Sequence, residues 1–184
     1  MKFDLEHDWQ GNMSTPRKNL GEKTKLHLFI VLTIIFIFTG LIGHEPWRPL
    51  ESTSISIILD IIQNNQIILP LAASENIITH PPLYSYVAAA FGKLFSPLLP
   101  LHDAARLSNI FWVGLTLMSL GLMTRELWGE GFGRQAGLIF LGSVGLILNI
   151  HSLIPEIATL LGYTMALYAF SLYFRRPFRA SMVL

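Results

Sequence analysis

Four stretches of this chain are apolar for long enough to cross a lipid bilayer as helices. They are Leu26–Gly43, Leu107–Leu127, Gln135–Ile154 and Ile157–Phe174. A hydrocarbon core about 30 Å thick takes roughly 17–25 helical residues to cross. Backbone polar groups in lipid must be satisfied internally, so segments of this kind admit helices and little else. Composition agrees: 52% of residues are hydrophobic and 14% charged, against about 25% charged in an ordinary soluble domain. The expected fold is an all-α integral membrane protein with about four transmembrane helices. A long outer loop carrying membrane-surface helices completes it.

The positions of the cations orient that arrangement. Lys and Arg are retained on the cytoplasmic side of membrane segments. Lys2, Arg17, Lys18, Lys23 and Lys25 precede the first apolar stretch, and Arg175, Arg176 and Arg179 follow the last. Both ends are therefore expected inside, which needs an even number of crossings. The first stretch runs into Thr39-Gly40-Leu41-Ile42-Gly43-His44-Glu45 with no A-x-A-like cleavage site, so it reads as an uncleaved anchor. With four crossings, Arg125 and Arg134 fall in a cytoplasmic turn. A fifth apolar stretch, Leu83–Leu99, contains Lys93 and ends among prolines. Its Leu83, Val87, Phe91, Leu94 and Phe95 recur at helical spacing, as in a helix lying in the interface.

The expected plan is then as follows. Residues 1–25 form a cytoplasmic tail and 26–43 the first span. Residues 44–104 form an outer, periplasmic loop. Residues 105–127 are the second span, 128–134 a cytoplasmic turn, 135–154 the third span and 155–174 the fourth. Residues 175–184 end inside. Within the outer loop, Ile55, Ile58, Leu59 and Ile62 define one apolar helical face that Asn64-Asn65 ends. Pro81-Pro82 suits the first turn of a second helix, where missing N–H groups cost nothing. Asp103 is a reasonable N-cap for the second span. The localisation that follows is a cell (inner) membrane, multi-pass, with a cytoplasmic N-terminus.

Several chemistries are excluded or weakened. The chain has no cysteine, so it has no disulfide, thiolate metal site or thiol nucleophile. A net charge of +1 makes no case for nucleic acid. His44, His80, His102 and His151 share the expected outer face but match no metal-binding spacing. Gly137, Gly142, Ser143 and Gly145 are accounted for by close helix packing.

The polar residues that remain gather in the outer loops. Glu156 follows Pro155 at a helix start, where a carboxylate suits the dipole. An acid at the edge of an apolar layer is also costly enough to mark a functional site. Glu51 follows Arg48-Pro49-Leu50 and can act as a solvated cap or as an acid–base group. Glu45 reads as solvated. Thr79-His80-Pro81-Pro82-Leu83-Tyr84 is a rigid turn into a helix, and Tyr84 suits an interfacial anchor.

In order and topology these segments resemble the N-terminal part of membrane glycosyltransferases that use polyprenyl-phosphate-linked sugars. The lipid A aminoarabinose transferases and protein O-mannosyltransferases belong to that family. Glu45-Pro46-Trp47-Arg48-Pro49-Leu50-Glu51 resembles its first acidic motif, with Leu50 where the family has an aspartate. Thr79-His80-Pro81-Pro82-Leu83-Tyr84 resembles its Glu-Lys-Pro-Pro-Leu-Tyr motif, with Thr79-His80 replacing Glu-Lys. Leu101-His102-Asp103-Ala104-Ala105-Arg106-Leu107 resembles the lead into the second span.

The resemblance covers about residues 26–175, against roughly the first third of a family member. It implies inverting sugar transfer at the outer face, in lipopolysaccharide or protein glycosylation of the cell envelope. Glu51 and Glu156 would be the catalytic carboxylates, and His80 and Arg106 would bind the donor phosphate. The donor would be a polyprenyl-phosphate sugar, with a divalent metal compatible but not indicated. Membrane lipids are expected partners, together with a further C-terminal region or a partner subunit. The alternatives are an inactive multi-pass scaffold or assembly subunit, and a transporter fragment. Apolar span centres disfavour the last.

Overall fold

A computed structural model describes residues 21–43, 45, 49–64, 82–173 and 176–183. His44, Arg48, His80, Arg175 and the tail cations Lys2, Arg17 and Lys18 lie outside the described residues, as does the segment expected to join the two loop helices.

The described residues form helices α1 (Glu22–Phe38), α2 (Pro49–Asn64), α3 (Leu83–Phe95), α4 (Leu101–Arg106), α5 (Ser108–Trp128), α6 (Phe132–Leu141), α7 (Val144–Asn149), α8 (Glu156–Tyr173) and α9 (Pro177–Val183). No strand occurs among them. Most helix boundaries follow local signals. Pro82 and Pro155 stand immediately before α3 and α8, where a residue without an N–H costs nothing. Asn64 closes α2 as its sequence suggests. Gly129 and Gly131 have φ of 97° and 96°, a left-handed region that favours glycine. They make the short turn between α5 and α6 feasible.

The expectation of four membrane crossings is overturned. Among the described residues only one helix, Leu101–Trp128, in which α4 runs through Leu107 into α5, is long and apolar enough to cross a membrane. The reason lies in how the apolar runs are segmented. α1 ends after 17 residues, about 26 Å at 1.5 Å per residue. The run 135–154 is broken at Gly142-Ser143 into α6 and α7, of 10 and 6 residues. α8 has 18 residues but opens on Glu156 and carries Thr159, Tyr163, Thr164, Tyr168, Ser171 and Tyr173. Apolar content over a window of sequence is thus not the same as one continuous apolar helix. A single helix of this length also occurs as the core helix of a helical bundle.

The spanning-length helix is the centre of the molecule. α5 packs chiefly against α8 and α6, α3 packs on α4 and α2, and α9 folds back on α8. The buried core gathers Ile58, Tyr84, Ala88, Ala105, Trp112, Val113, Ile150, Leu153, Ile154 and Ile157. Of the loop helices, α2 turns Glu51, Ser54 and Ile58 into this core, and α3 turns in Tyr84, Ser85, Ala88, Ala89 and Gly92. α3 nonetheless leaves Leu83 and Leu94 outward, followed by Leu98. Elsewhere large apolar side chains also face outward, including Ile30, Ile34 and Ile35 on α1, Ile139 on α6 and Leu167 and Phe170 on α8.

Candidate functional site

A buried polar cluster holds six segments together at one end of the bundle. Its centre is the guanidinium of Arg106, at the end of α4. Nε and Nη2 donate to Glu51 Oε1 at 3.1 and 2.9 Å, and Nη1 donates to Asp103 Oδ1 at 2.9 Å. Glu51 Oε1 also accepts the Leu153 backbone N–H at 3.1 Å. Asp103 Oδ2 accepts the Gly43 N–H at 3.1 Å, which ties down the chain beyond α1. Arg106 and Glu51 are both 0% exposed.

Local structure explains how these groups meet. Asp103 and Arg106 are three apart on one helix, so both project to the same face. Asp103 was expected to cap the second span. Instead, the helix starts at Leu101, and no side-chain cap bond is made there. Its carboxylate is used across the fold, toward Gly43 and Arg106. Glu51 sits in the first turn of α2, where an acid suits the helix dipole.

A neutral network lies beside the charged one. Tyr84 Oη donates to Asn109 Oδ1 at 2.9 Å. Asn109 Nδ2 donates to the carbonyls of Ile150 and Ser152 at 2.8 and 2.9 Å. The Tyr84 phenol is held well above its ordinary value. Burial is the main cause. The charges of Glu51 and Glu156 push the same way, opposed in part by neighbouring Ser108 and the Ile154 backbone. Tyr84 thus senses both acids singled out in the sequence.

Glu156 differs from Glu51 in access. It is exposed in the first turn of α8. It borders a groove of about 370 Å³ with Gly145, Leu146, Asn149, Ile154 and Leu160. That groove reaches Ile154, one residue from the Leu153 N–H that holds Glu51. Among the described residues, no group of three or more His, Asp or Glu is placed to hold a metal ion.

The chemical consequences follow from the bonding. All three nitrogens of the Arg106 guanidinium bond to carboxylates, and two acids face one cation. These bonds take one N–H from each nitrogen of a guanidinium that carries five, and the side chain is fully buried. Glu51 Oε2, by contrast, is buried with no hydrogen-bond partner among the described residues. An orphaned carboxylate oxygen in a dry site costs about 1–3 kcal/mol or more. It is a ready acceptor for a hydroxyl or N–H.

Of the four proposed site residues, Glu51 and Arg106 are in direct contact. Glu156 borders the groove that reaches Ile154, and His80 is outside the described residues. Sequence reasoning missed Tyr84, Asp103, Asn109 and Leu153 as parts of one cluster. Tyr84 and Asp103 stood in the quoted motifs, whereas the backbone N–H of Leu153 carries no sequence signal. Comparison with protein-family models, with curated proteins and with solved structures finds no match for this chain.

Proposed function

We propose that this chain is a membrane-associated, glycosyltransferase-like protein that handles a polyprenyl-phosphate-linked sugar, with Glu51 and Glu156 as its acidic pair. The observation that carries the reading is convergence. Glu51, Tyr84, Asp103 and Arg106 belong to the three resembling motifs; Arg106 joins Glu51 to Asp103, and the charges of Glu51 and Glu156 both act on Tyr84. Glu51 also keeps a carboxylate oxygen unpartnered there. Outward apolar side chains on several helices support contact with lipid. Helix Leu101–Trp128, long and apolar enough to cross a membrane, supports the same association.

In this reading the exposed Glu156 takes the proton of the acceptor hydroxyl. The acceptor oxygen forms a bond to the anomeric carbon as the bond from that carbon to the phosphate oxygen breaks. The electron pair leaves with the polyprenyl phosphate. Glu51 acts as a positioning residue, orienting Arg106 and offering Oε2 to a sugar hydroxyl. The test is binding of a polyprenyl-phosphate sugar to the purified chain. Glu156→Gln should retain donor binding and abolish transfer in an active form or assembly. Glu51→Gln should weaken donor binding as well. Binding that survives both substitutions unchanged, or that is absent from the native chain, would sink the proposal.

A second reading is favoured by a specific observation. Complete burial of Glu51 and Arg106, with every guanidinium nitrogen engaged, is also what a structural cross-brace requires. In a scaffold, the same substitutions would lower stability and leave no ligand-dependent effect to lose.

A further inference from the structure

Helices α5 and α8 start at the same end of the molecule. Asn109, in the first turn of α5, bonds to the Ile150 and Ser152 carbonyls just before α8, and the two helices pack along each other. α8 therefore carries the chain toward the Trp128 end, where α9 turns back on it. The surface of α9 is divided. Ala180 is buried, whereas Phe178 and Met182, one turn apart, are 76% and 74% exposed. Arg179 is exposed on the same short helix, and Arg176 is exposed just before it. Neither arginine side chain is held in an ion pair among the described residues. Residues 157–184 contain no Asp or Glu, and Glu126 and Glu130, at the far end of α5, already have partners. Trp128, 63% exposed, closes α5 at the same end.

We propose that α9 is a surface anchor for an anionic lipid leaflet, with Phe178 and Met182 in the head-group boundary and Arg176 and Arg179 beside the lipid phosphates. An apolar pair flanked by cations is the composition of a helix that lies in the interface. Arginine stems can bury along apolar surface while their heads stay wet, and Trp128 suits the same boundary. Charge complementarity selects the occupant. A zwitterionic surface takes the apolar pair but gains little from the arginines, and an acidic polymer answers the arginines but gains little from Met182. Anionic leaflets attract basic segments beside the membrane for this reason. The inference rests on the membrane association proposed above and not on the sugar chemistry.

The experiment places an environment-sensitive fluorophore on Ser181→Cys, an exposed position of α9 in a chain with no other cysteine. The full chain is reconstituted into vesicles of phosphatidylcholine alone or mixed equally with phosphatidylglycerol, and shielding from acrylamide, a neutral quencher, is measured. The label should be better shielded in the mixed vesicles, and added salt should remove the difference. Arg176→Gln/Arg179→Gln should lower the shielded-to-exposed ratio in the mixed vesicles roughly tenfold or more, with no change in phosphatidylcholine. Phe178→Ser/Met182→Ser should lower shielding in both. The same label on Ser96→Cys, just before α4, should not respond to the arginine substitutions. If the arginine variant does not fold, the salt dependence of the labelled parent decides. Equal shielding in the two vesicles, a salt-independent difference, or an arginine variant that keeps the difference would overturn the proposal while leaving membrane association intact. A chain that enters neither vesicle would overturn both.

Discussion

At the residue scale, the governing fact is that Arg106 and Glu51 have no contact with water. Desolvating two charges is costly, and their attraction offsets that cost only while both are present. Arg106→Ala should therefore destabilise by about 3–5 kcal/mol, because it strands two carboxylates. Arg106→Met combined with Glu51→Leu should cost much less, and a double-mutant cycle on denaturation midpoints would measure the coupling. Additive losses would mean that the pair does not interact as described.

Tyr84 makes a second residue-scale prediction. Its raised pKa means that the folded state keeps a proton that an unfolded tyrosine loses near pH 10. Stability should be fully present below about pH 10 and fall as pH rises beyond it, since the unfolded state then binds fewer protons. Tyr84→Phe should remove that high-pH decline. It should also cost about 1–3 kcal/mol at neutral pH by leaving Asn109 Oδ1 without its donor. Unfolding curves for both proteins between pH 7 and 11 would check both effects.

At the element scale, the α5–α6 hairpin depends on backbone proximity. The Cβ of Gly133→Ala would meet the Gly121 carbonyl at 3.0 Å and its Cα at 3.2 Å. Backbone cannot swing aside as a side chain can, so the two helices would have to separate. A loss of about 1–3 kcal/mol is expected, as for other overpacked sites. Gly114→Ala, in α5 with nothing within 4 Å, should instead stabilise by up to about 1 kcal/mol through helix propensity. Thermal unfolding of the two variants should move in opposite directions. The Arg125–Glu130 ion pair is 2.7 Å long but 64% and 84% exposed. Arg125→Gln should therefore barely change stability, as exposed pairs are worth little.

At the scale of the whole molecule, the two ends differ in chemistry. One end carries the buried acid-rich cluster around Arg106, and the other the exposed Arg176 and Arg179 at α9. Helix Leu101–Trp128 connects them. If it crosses a membrane, positions before and after it lie on opposite sides. The chain has no cysteine, so single cysteines report cleanly. Ser96→Cys and Glu130→Cys, both exposed, should react with an impermeant thiol reagent from opposite sides of intact cells or vesicles. Labelling of both from the same side would show that the helix does not cross, and the outward apolar surfaces would then need a protein partner.

Helical structure and several helix ends were legible in the sequence, because they depend on neighbours within a few residues. Pro82, Pro155 and Asn64 mark helix ends by local backbone chemistry. Apolar spacing along Ile55–Ile62 and Leu83–Phe95 predicts helices there whatever they pack against. The number of membrane-length helices was not legible. Hydropathy averages over a window and does not register that Gly142-Ser143 interrupts the helix or that α1 stops at Phe38. The sequence also left open what Glu51, Asp103 and Arg106 do. Only the tertiary fold brings Glu51 to a guanidinium 55 positions away and the Leu153 N–H to the same oxygen. A charge's role is set by its partners and its access to water, and both are properties of the packed chain.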